Sequence, residues 1–160
     1  MDEDQSKIAG RHFLKNGHAA QISDEDLARG CEILIQEQSR TSLKVALNLA
    51  RRFAKFTQGR SQPLRLTAMR AVGRMSQMSG RHREALKAYS QARQLAVKLP
   101  LVRGRIDRAL ADVYLYLGDM ANARVSAQKA IFTFKNLKSE NDLAQARVNY
   151  ANILQYFISN

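Results

Sequence analysis

The sequence predicts an all-α protein made of antiparallel helix hairpins. The first indication is a repeated pattern, in which Gly80 and Gly118 are each followed at the same spacing by small or aromatic residues: Ala85, Tyr89 and Ala92 in one copy, Ala123, Ala127 and Ala130 in the other. The second is that apolar residues recur with the period of a helix and no segment alternates strictly as a strand would. The third is that the Pro and Gly residues occur only at the boundaries of these helical segments or at packing positions.

Residues 1–22 form a polar leader with scattered apolar positions. Gly10 and Gly17 interrupt it, and glycine inside a helix costs about 1 kcal/mol relative to alanine. We expect either a short helix that docks on the first repeat or a partly disordered tail.

The repeat array is expected over residues 23–160 and begins with a degenerate repeat at about 24–56. Ser23 precedes Asp24, Glu25 and Asp26, a hydroxyl cap followed by carboxylates in the first turn, where the helix dipole favours them. A second helix follows, and its Ala46 lies about one repeat before Ala85.

Two better repeats are expected at about 64–99 and 101–137. Residues 57–63 contain Gly, Ser and Pro without a large apolar residue, which is typical of a loop. Gly80 and Gly118 mark the turn of each hairpin, and Pro100 suits the start of a helix.

A half repeat or capping helix is expected at 140–158, after a Ser139 cap. The array would then contain about seven helices, as three hairpins and one unpaired helix. Because Tyr156 and Ile158 make this end apolar, the last helix is either a cap, an edge for self-association, or part of a longer protein.

The charge of the chain is strongly positive and unevenly distributed. The 160 residues carry a formal net charge of +12. Residues 1–37 hold eight acids and four bases, whereas Arg40 to Arg108 hold seventeen bases and two acids. This balance favours an acidic partner, which would be a peptide, a nucleic acid or an anionic surface. The alternative is an ordinary solvated helix surface that is rich in arginine.

The residues at the repeat positions resemble the tetratricopeptide repeat family. This family carries a small residue in the first helix, Gly at the turn, Ala at the start of the second helix, then an aromatic residue and another Ala. The matching residues are Gly73, Gly80, Ala85, Tyr89 and Ala92 in one repeat, and Ala111, Tyr114, Gly118, Ala123 and Ala130 in the next. Small residues would let the two helices of a hairpin approach closely, and the aromatic would fill the gap to the neighbouring hairpin.

The resemblance implies a right-handed superhelical solenoid that acts as a scaffold or regulatory domain without catalytic activity. The repeat here is 38 to 40 residues, against 34 in the usual family member. It is similar to the longer repeats of regulatory and signalling members, and more weakly to those fused to bacterial CHAT proteases.

The resemblance also implies a concave groove lined by the first helix of each hairpin. Carried over position by position, the partner-binding residues would be Arg70, Arg74, Gln77, Arg105, Arg108, Asp112, Tyr116, Asn152 and Tyr156. Arginines pair with carboxylates, and amide side chains satisfy an extended backbone, so an acidic peptide, helix or partner domain would fit this groove. The competing interpretation is that the arginines are solvated or paired locally, for instance with Asp107 or Asp112.

The sequence contains no pattern of catalytic, metal-binding or cofactor-binding residues that we can identify. His12, His18 and His82 lack ligand spacing, Cys31 is the single cysteine, and no phosphate-binding or nucleophile-elbow motif occurs. We therefore expect a protein that is not an enzyme and that takes no cofactor or metal. The absence of a secretory signal or a long apolar run favours the cytoplasm.

Two other functions stay open at this stage. The basic stretch would support nonspecific nucleic-acid binding, although few aromatic residues there could stack with bases. A self-associating scaffold, or a regulatory fragment of a larger protein, is the other alternative.

Overall fold

The computed structural model describes residues 2–18 and 21–159, except for the side chain of Phe157. Its regular elements over those residues are all helices, which confirms the predicted all-α class. The helices are α1 Glu3–Asn16, α2 Asp24–Ser39, α3 Leu43–Phe56, α4 Gln62–Met78, α5 His82–Leu95, α6 Pro100–Tyr116, α7 Met120–Asn136 and α8 Glu140–Ser159. Eight helices are thus described, one more than the expected seven, because the leader forms α1.

The helices fall into two compact units. The first ends at Leu95 and contains α1 to α5, and the second begins at Ala96 and contains α6 to α8. Within each unit, helices that follow one another in the chain pack side by side as an array.

The leader adopts the helical alternative. The Asp2 carboxylate accepts a hydrogen bond from the Gln5 N–H at 2.8 Å, which satisfies one of the free donors at the start of α1. Gly17 ends the helix with a φ of 75°, a left-handed conformation that glycine adopts without strain. The sequence predicts that Gly10 and Gly17 both interrupt a leader helix, but only Gly17 ends it.

Gly10 lies inside α1 and lets that helix touch α2. A Cβ atom added to Gly10 would lie 2.7 Å from the Gly30 carbonyl carbon, and one added to Gly30 would lie 1.9 Å from the Ser6 carbonyl oxygen. The two backbones are therefore in direct contact. Gly10 was expected to weaken a leader helix, but the close packing that it permits offsets its low helix propensity.

An apolar cluster connects the helices of the first unit. Phe13 of α1 packs edge to face on Phe53 and Phe56 of α3, with ring centroids 6.3 and 5.8 Å apart. Leu27 and Met75 bring α2 and α4 into the same cluster. Such a buried core stabilises the unit mainly by removing apolar surface from water.

The hairpins α4–α5 and α6–α7 each use a glycine to receive an aromatic ring. A Cβ atom on Gly73 would lie 2.7 Å from Tyr89, and one on Gly104 would lie 2.8 Å from Phe134. The close approach predicted for small residues is present. Of these residues, Gly73 and Tyr89 are predicted repeat positions, whereas Gly104 and Phe134 are not. Tyr89 packs on Gly73 of its own hairpin, because the glycine leaves a recess at that height.

Candidate functional site

The nine predicted partner-binding residues lie on three helices. In the first unit, α4 carries Arg70, Arg74 and Gln77. In the second unit, α6 carries Arg105, Arg108, Asp112 and Tyr116, and α8 carries Asn152 and Tyr156. The two groups are described separately because they belong to different units.

The arginines of α4 form a small basic surface. Arg70 is partly buried and Arg74 is exposed, and their spacing of four places them on one side of the helix. Within residues 2–18 and 21–159, neither guanidinium forms a hydrogen bond or ion pair. Gln77, one turn further on, accepts a hydrogen bond from the Tyr89 hydroxyl at 3.2 Å. The surface thus offers two cations beside a fixed amide.

The arginines of α6 are in a different situation, because α8 supplies partners for them. Arg105 donates two hydrogen bonds of 2.9 Å to the two carboxylate oxygens of Asp142. Arg108 donates to Gln145, and Asn149 donates to Asp112. Each of the three pairs joins residues 37 positions apart. We call these six residues the α6–α8 ladder.

The pKa values of the two acids in the α6–α8 ladder are shifted in opposite directions. The Arg105 guanidinium holds the pKa of Asp142 below its usual range, and Ser139 adds a further hydrogen bond to that carboxylate. Burial raises the pKa of Asp112, although Arg108 and Asn149 partly oppose this. Local pairing, the competing interpretation for the four arginines, therefore describes Arg105 and Arg108. Their hydrogen-bond partners, Asp142 and Gln145, lie on α8, and Arg108 is also close enough to Asp112 to lower the pKa of that carboxyl group.

The remaining predicted residues lie at exposed positions in the second unit. Tyr116 is at the end of α6, and Asn152 and Tyr156 are one turn apart on α8. Tyr116 exposes 68% of its surface and Tyr156 exposes 50%. These side chains are accessible to a partner that approaches α8.

The first unit also contains a cleft that sequence reasoning missed. It has a volume of about 730 Å³ and lies between α3 and α5, with α4 as its floor. The lining residues are Arg51, Ala54, Lys55, Thr57, Gln58, Arg65, Met69, Val72, Glu84, Lys87, Ala88, Gln91, Gln94 and Leu95. The excess of bases after Arg40 was visible in the sequence, but the helix packing alone brings these particular ones together.

An ion pair spans this cleft. Arg51 of α3 donates to both carboxylate oxygens of Glu84 on α5, at 2.8 and 2.7 Å. This pairing lowers the pKa of Glu84 and raises that of Arg51. Glu84 thus ties α3 and α5 together.

Within residues 2–18 and 21–159, no three His, Cys, Asp or Glu side chains gather where they could hold a metal ion. Burial raises the pKa of the Cys31 thiol to about 12, so the thiol stays protonated at neutral pH and is a poor nucleophile. None of the helices in this described part is long and apolar enough to cross a membrane.

Comparisons with known proteins identify a fold and no family. No protein-family model and no curated protein matches the sequence. Among solved structures, the chain is similar to BtubC (BKLC) from P. vanneervenii, with a TM-score of 0.73 and 16% sequence identity. The match covers 98% of this chain and 67% of that one. At this identity the likeness extends to the fold, which in both proteins is an arrangement of helices.

Proposed function

We propose that this chain is a non-catalytic, cytoplasmic protein-interaction module of the tetratricopeptide type, which binds an acidic segment of a partner protein on the α4 surface. The observation that carries the proposal is the pair Arg70 and Arg74, which have no carboxylate partner among the described residues. Arginine presents a planar fork of donors that matches a carboxylate, so an acidic segment would complete the interaction.

The neighbouring side chain supports a peptide as the ligand. The Gln77 amide is held by Tyr89, so its orientation is fixed, and it retains hydrogen-bonding capacity for a peptide backbone. Fixed groups lose little conformational entropy on binding. Arg105 and Arg108, which were expected to contribute charge, are engaged in the α6–α8 ladder and take a smaller part in this proposal.

The proposal is tested by affinity capture from cells of the source organism, with and without nuclease. The bait is the full chain, compared with Arg70→Glu/Arg74→Glu and with Arg124→Glu/Lys129→Glu, which reverses the same charge at exposed positions of α7. We expect a specific protein to be lost with the α4 variant alone. Equal loss with both variants, or recovery that nuclease abolishes in every sample, would refute the proposal.

A second function, self-association through α8, is favoured by the apolar surface of that helix. Val148 exposes 62% of its surface and Ile158 exposes 84%. Sedimentation equilibrium over a range of concentrations would test it. We expect a mass that increases with concentration in the natural chain and not in Val148→Asp/Ile158→Asp, and a monomer at all concentrations would exclude it.

A further inference from the structure

The cleft between α3 and α5 is lined by more positive than negative side chains, and these are not the arginines of the α4 surface (Arg70 and Arg74). Four bases and one acid line it. The acid is Glu84, and both of its oxygens are engaged by Arg51. Lys55, Arg65 and Lys87 are exposed and have no acidic partner in the described part of the chain. An anionic ligand would therefore find three cations that do not have to give up an existing ion pair.

The uncharged residues that line the cleft indicate which class of anionic ligand would fit it. Met69, Val72 and Ala88 give the cleft an aliphatic floor. Three glutamines, Gln58, Gln91 and Gln94, also line it, and their amides both donate and accept hydrogen bonds, as a peptide backbone requires. None of the lining residues is aromatic, so the cleft has no platform on which a nucleic-acid base could stack.

We propose that this cleft is a second binding site, which takes an acidic peptide segment of a partner protein. The carboxylates of the segment pair with Lys55, Arg65 and Lys87, and an aliphatic side chain of the segment lies over Met69 and Val72. The volume of about 730 Å³ lies within the range of ligand sites, which are clefts of roughly 300 to 1,000 Å³. The positive side chains favour an acidic ligand. Among acidic polymers, the aliphatic floor favours a peptide, because a peptide can carry an apolar side chain.

The site is separate from the one in the proposed function. Arg65, Met69 and Val72 lie on one side of α4, whereas Arg70 and Arg74 lie about half a helical turn away and do not line the cleft. Either site could therefore bind without the other. A variant of each one reports on that site alone.

Glu84 gives the cleft an internal competitor. Its carboxylate accepts both hydrogen bonds from Arg51, which a carboxylate of the ligand could otherwise accept. Glu84→Gln removes that negative charge while keeping the size of the side chain. We therefore expect this variant to bind an acidic peptide more tightly, by about threefold or more, since a charge-assisted hydrogen bond becomes free for the ligand.

The experiment measures fluorescence anisotropy of a fluorescein-labelled peptide of Glu residues with one central Leu. The peptide is titrated with the full chain carrying Arg70→Gln/Arg74→Gln, so that the α4 surface adds no binding of its own, and with the unsubstituted chain alongside. Lys55→Gln/Arg65→Gln/Lys87→Gln is the cleft variant. Arg124→Gln/Lys129→Gln/Lys135→Gln is its control, because it removes the same charge from exposed positions of α7. We expect the cleft variant to bind about tenfold or more weakly than the control, as the loss of several charged contacts predicts. Replacing Leu by Gly in the peptide should also weaken binding.

Four results would overturn the proposal. The first is equal weakening by the cleft variant and its control, which would indicate a general charge effect. The second is weakening by Arg70→Gln/Arg74→Gln alone, which would leave the α4 surface as the binding site and the cleft without a role. The third is a cleft variant that loses affinity for labelled oligothymidylate but not for the peptide. The fourth is a concentration-dependent mass that the cleft variant abolishes, because the cleft would then be filled by a second copy. Circular dichroism of each variant verifies that the helices are retained.

Discussion

The two units differ in how their successive first helices meet. In the first unit, α2 and α4 pack together as part of an apolar cluster that includes Leu34, Ala68 and Ala71. In the second unit, α6 and α8 are joined by the polar ladder, in which Arg105 pairs with Asp142. Among the residues that the structure describes, Arg70 and Arg74 of α4 have no hydrogen-bond or ion-pair partner, whereas Arg105 and Arg108 of α6 donate to side chains of α8.

This difference shows that an arginine on a first helix has no fixed role. Arg70 and Arg105 were both expected to supply charge to a partner. What decides between a surface cation and a structural residue is the side chain that the packed neighbour places within reach. A hydrogen-bonded acid such as Asp142, which exposes only 11% of its side chain, holds its arginine within the fold.

The largest effect is expected where the first unit brings two backbones together. Gly30→Ala would place a Cβ atom 1.9 Å from the Ser6 carbonyl oxygen, and neither backbone can move aside without separating α1 from α2. We expect a loss of about 3 kcal/mol or more in the free energy of unfolding, at or beyond the upper range of overpacking effects. Urea unfolding followed by circular dichroism measures it.

The matched variant in the second unit is Gly104→Ala. Its Cβ atom would lie 2.8 Å from a ring atom of Phe134, and a side chain yields more readily than a backbone. We expect a loss of about 1 to 2 kcal/mol. A loss as large as that of Gly30→Ala would contradict the distinction between the two contacts.

The next effect concerns the ladder. Arg105→Ala leaves the carboxylate of Asp142 largely buried without its main partner, and we expect a loss of about 1 to 2 kcal/mol. This figure is moderate because the Arg105 side chain is 47% exposed and water screens the pair. Asp142→Asn/Arg105→Ala should be less than additive in urea unfolding, and full additivity would show that the pair does not interact.

The ladder also predicts a dependence on pH. The folded-state pKa of Asp142 is lowered, so its stabilisation is present above its ordinary value of 3.8 and is lost as the pH falls through the lower folded value. The folded-state pKa of Asp112 is raised, so the fold gains stability from this residue as the pH falls through that raised value towards 3.8.

Urea unfolding at several pH values tests these opposite signs. On acidification, the stability difference between the natural chain and Asp142→Asn should shrink. The natural chain should gain stability relative to Asp112→Asn, and this change should occur at the higher pH of the two. Parallel curves for the two variants would contradict the opposite shifts.

The smallest effect is expected for the arginines of α4. Arg70→Ala and Arg74→Ala remove cations that have no partner among the described residues, so each should change the free energy of unfolding by less than about 0.5 kcal/mol. A loss similar to that of Arg105→Ala would mean that these arginines are structural after all. The proposed function would then lose its main support.

The helices were largely predictable because their signals are local. Ser23 and Ser42 cap α2 and α3, Pro100 begins α6, and Gly80 and Gly118 take the left-handed conformation that ends a hairpin turn. The sequence does not decide between a helix and a disordered tail for the leader, because its glycines cost helix stability locally. Gly10 and Gly30 offset that cost only through a contact between two helices.

The candidate sites were less predictable, although one signal was present. The ladder joins residues 37 positions apart, close to the length of one repeat. The spacing of Arg105 and Asp142, oppositely charged residues about one repeat apart, is therefore a signal that the sequence itself contains. The spacing of Arg51 and Glu84 does not match the repeat length in this way, and no regular spacing relates the other residues that line the cleft.

The sequence by itself determined the helical class, the turns, and the excess of positive charge in the middle of the chain, since these follow from periodicity, capping and composition. Only the tertiary structure decided which of those charges are neutralised. Ion pairing depends on distances of a few ångströms between side chains on different helices, and those distances are fixed by packing. Arg105 is thus committed to Asp142, while Lys55, Arg65 and Lys87 gather around a cleft.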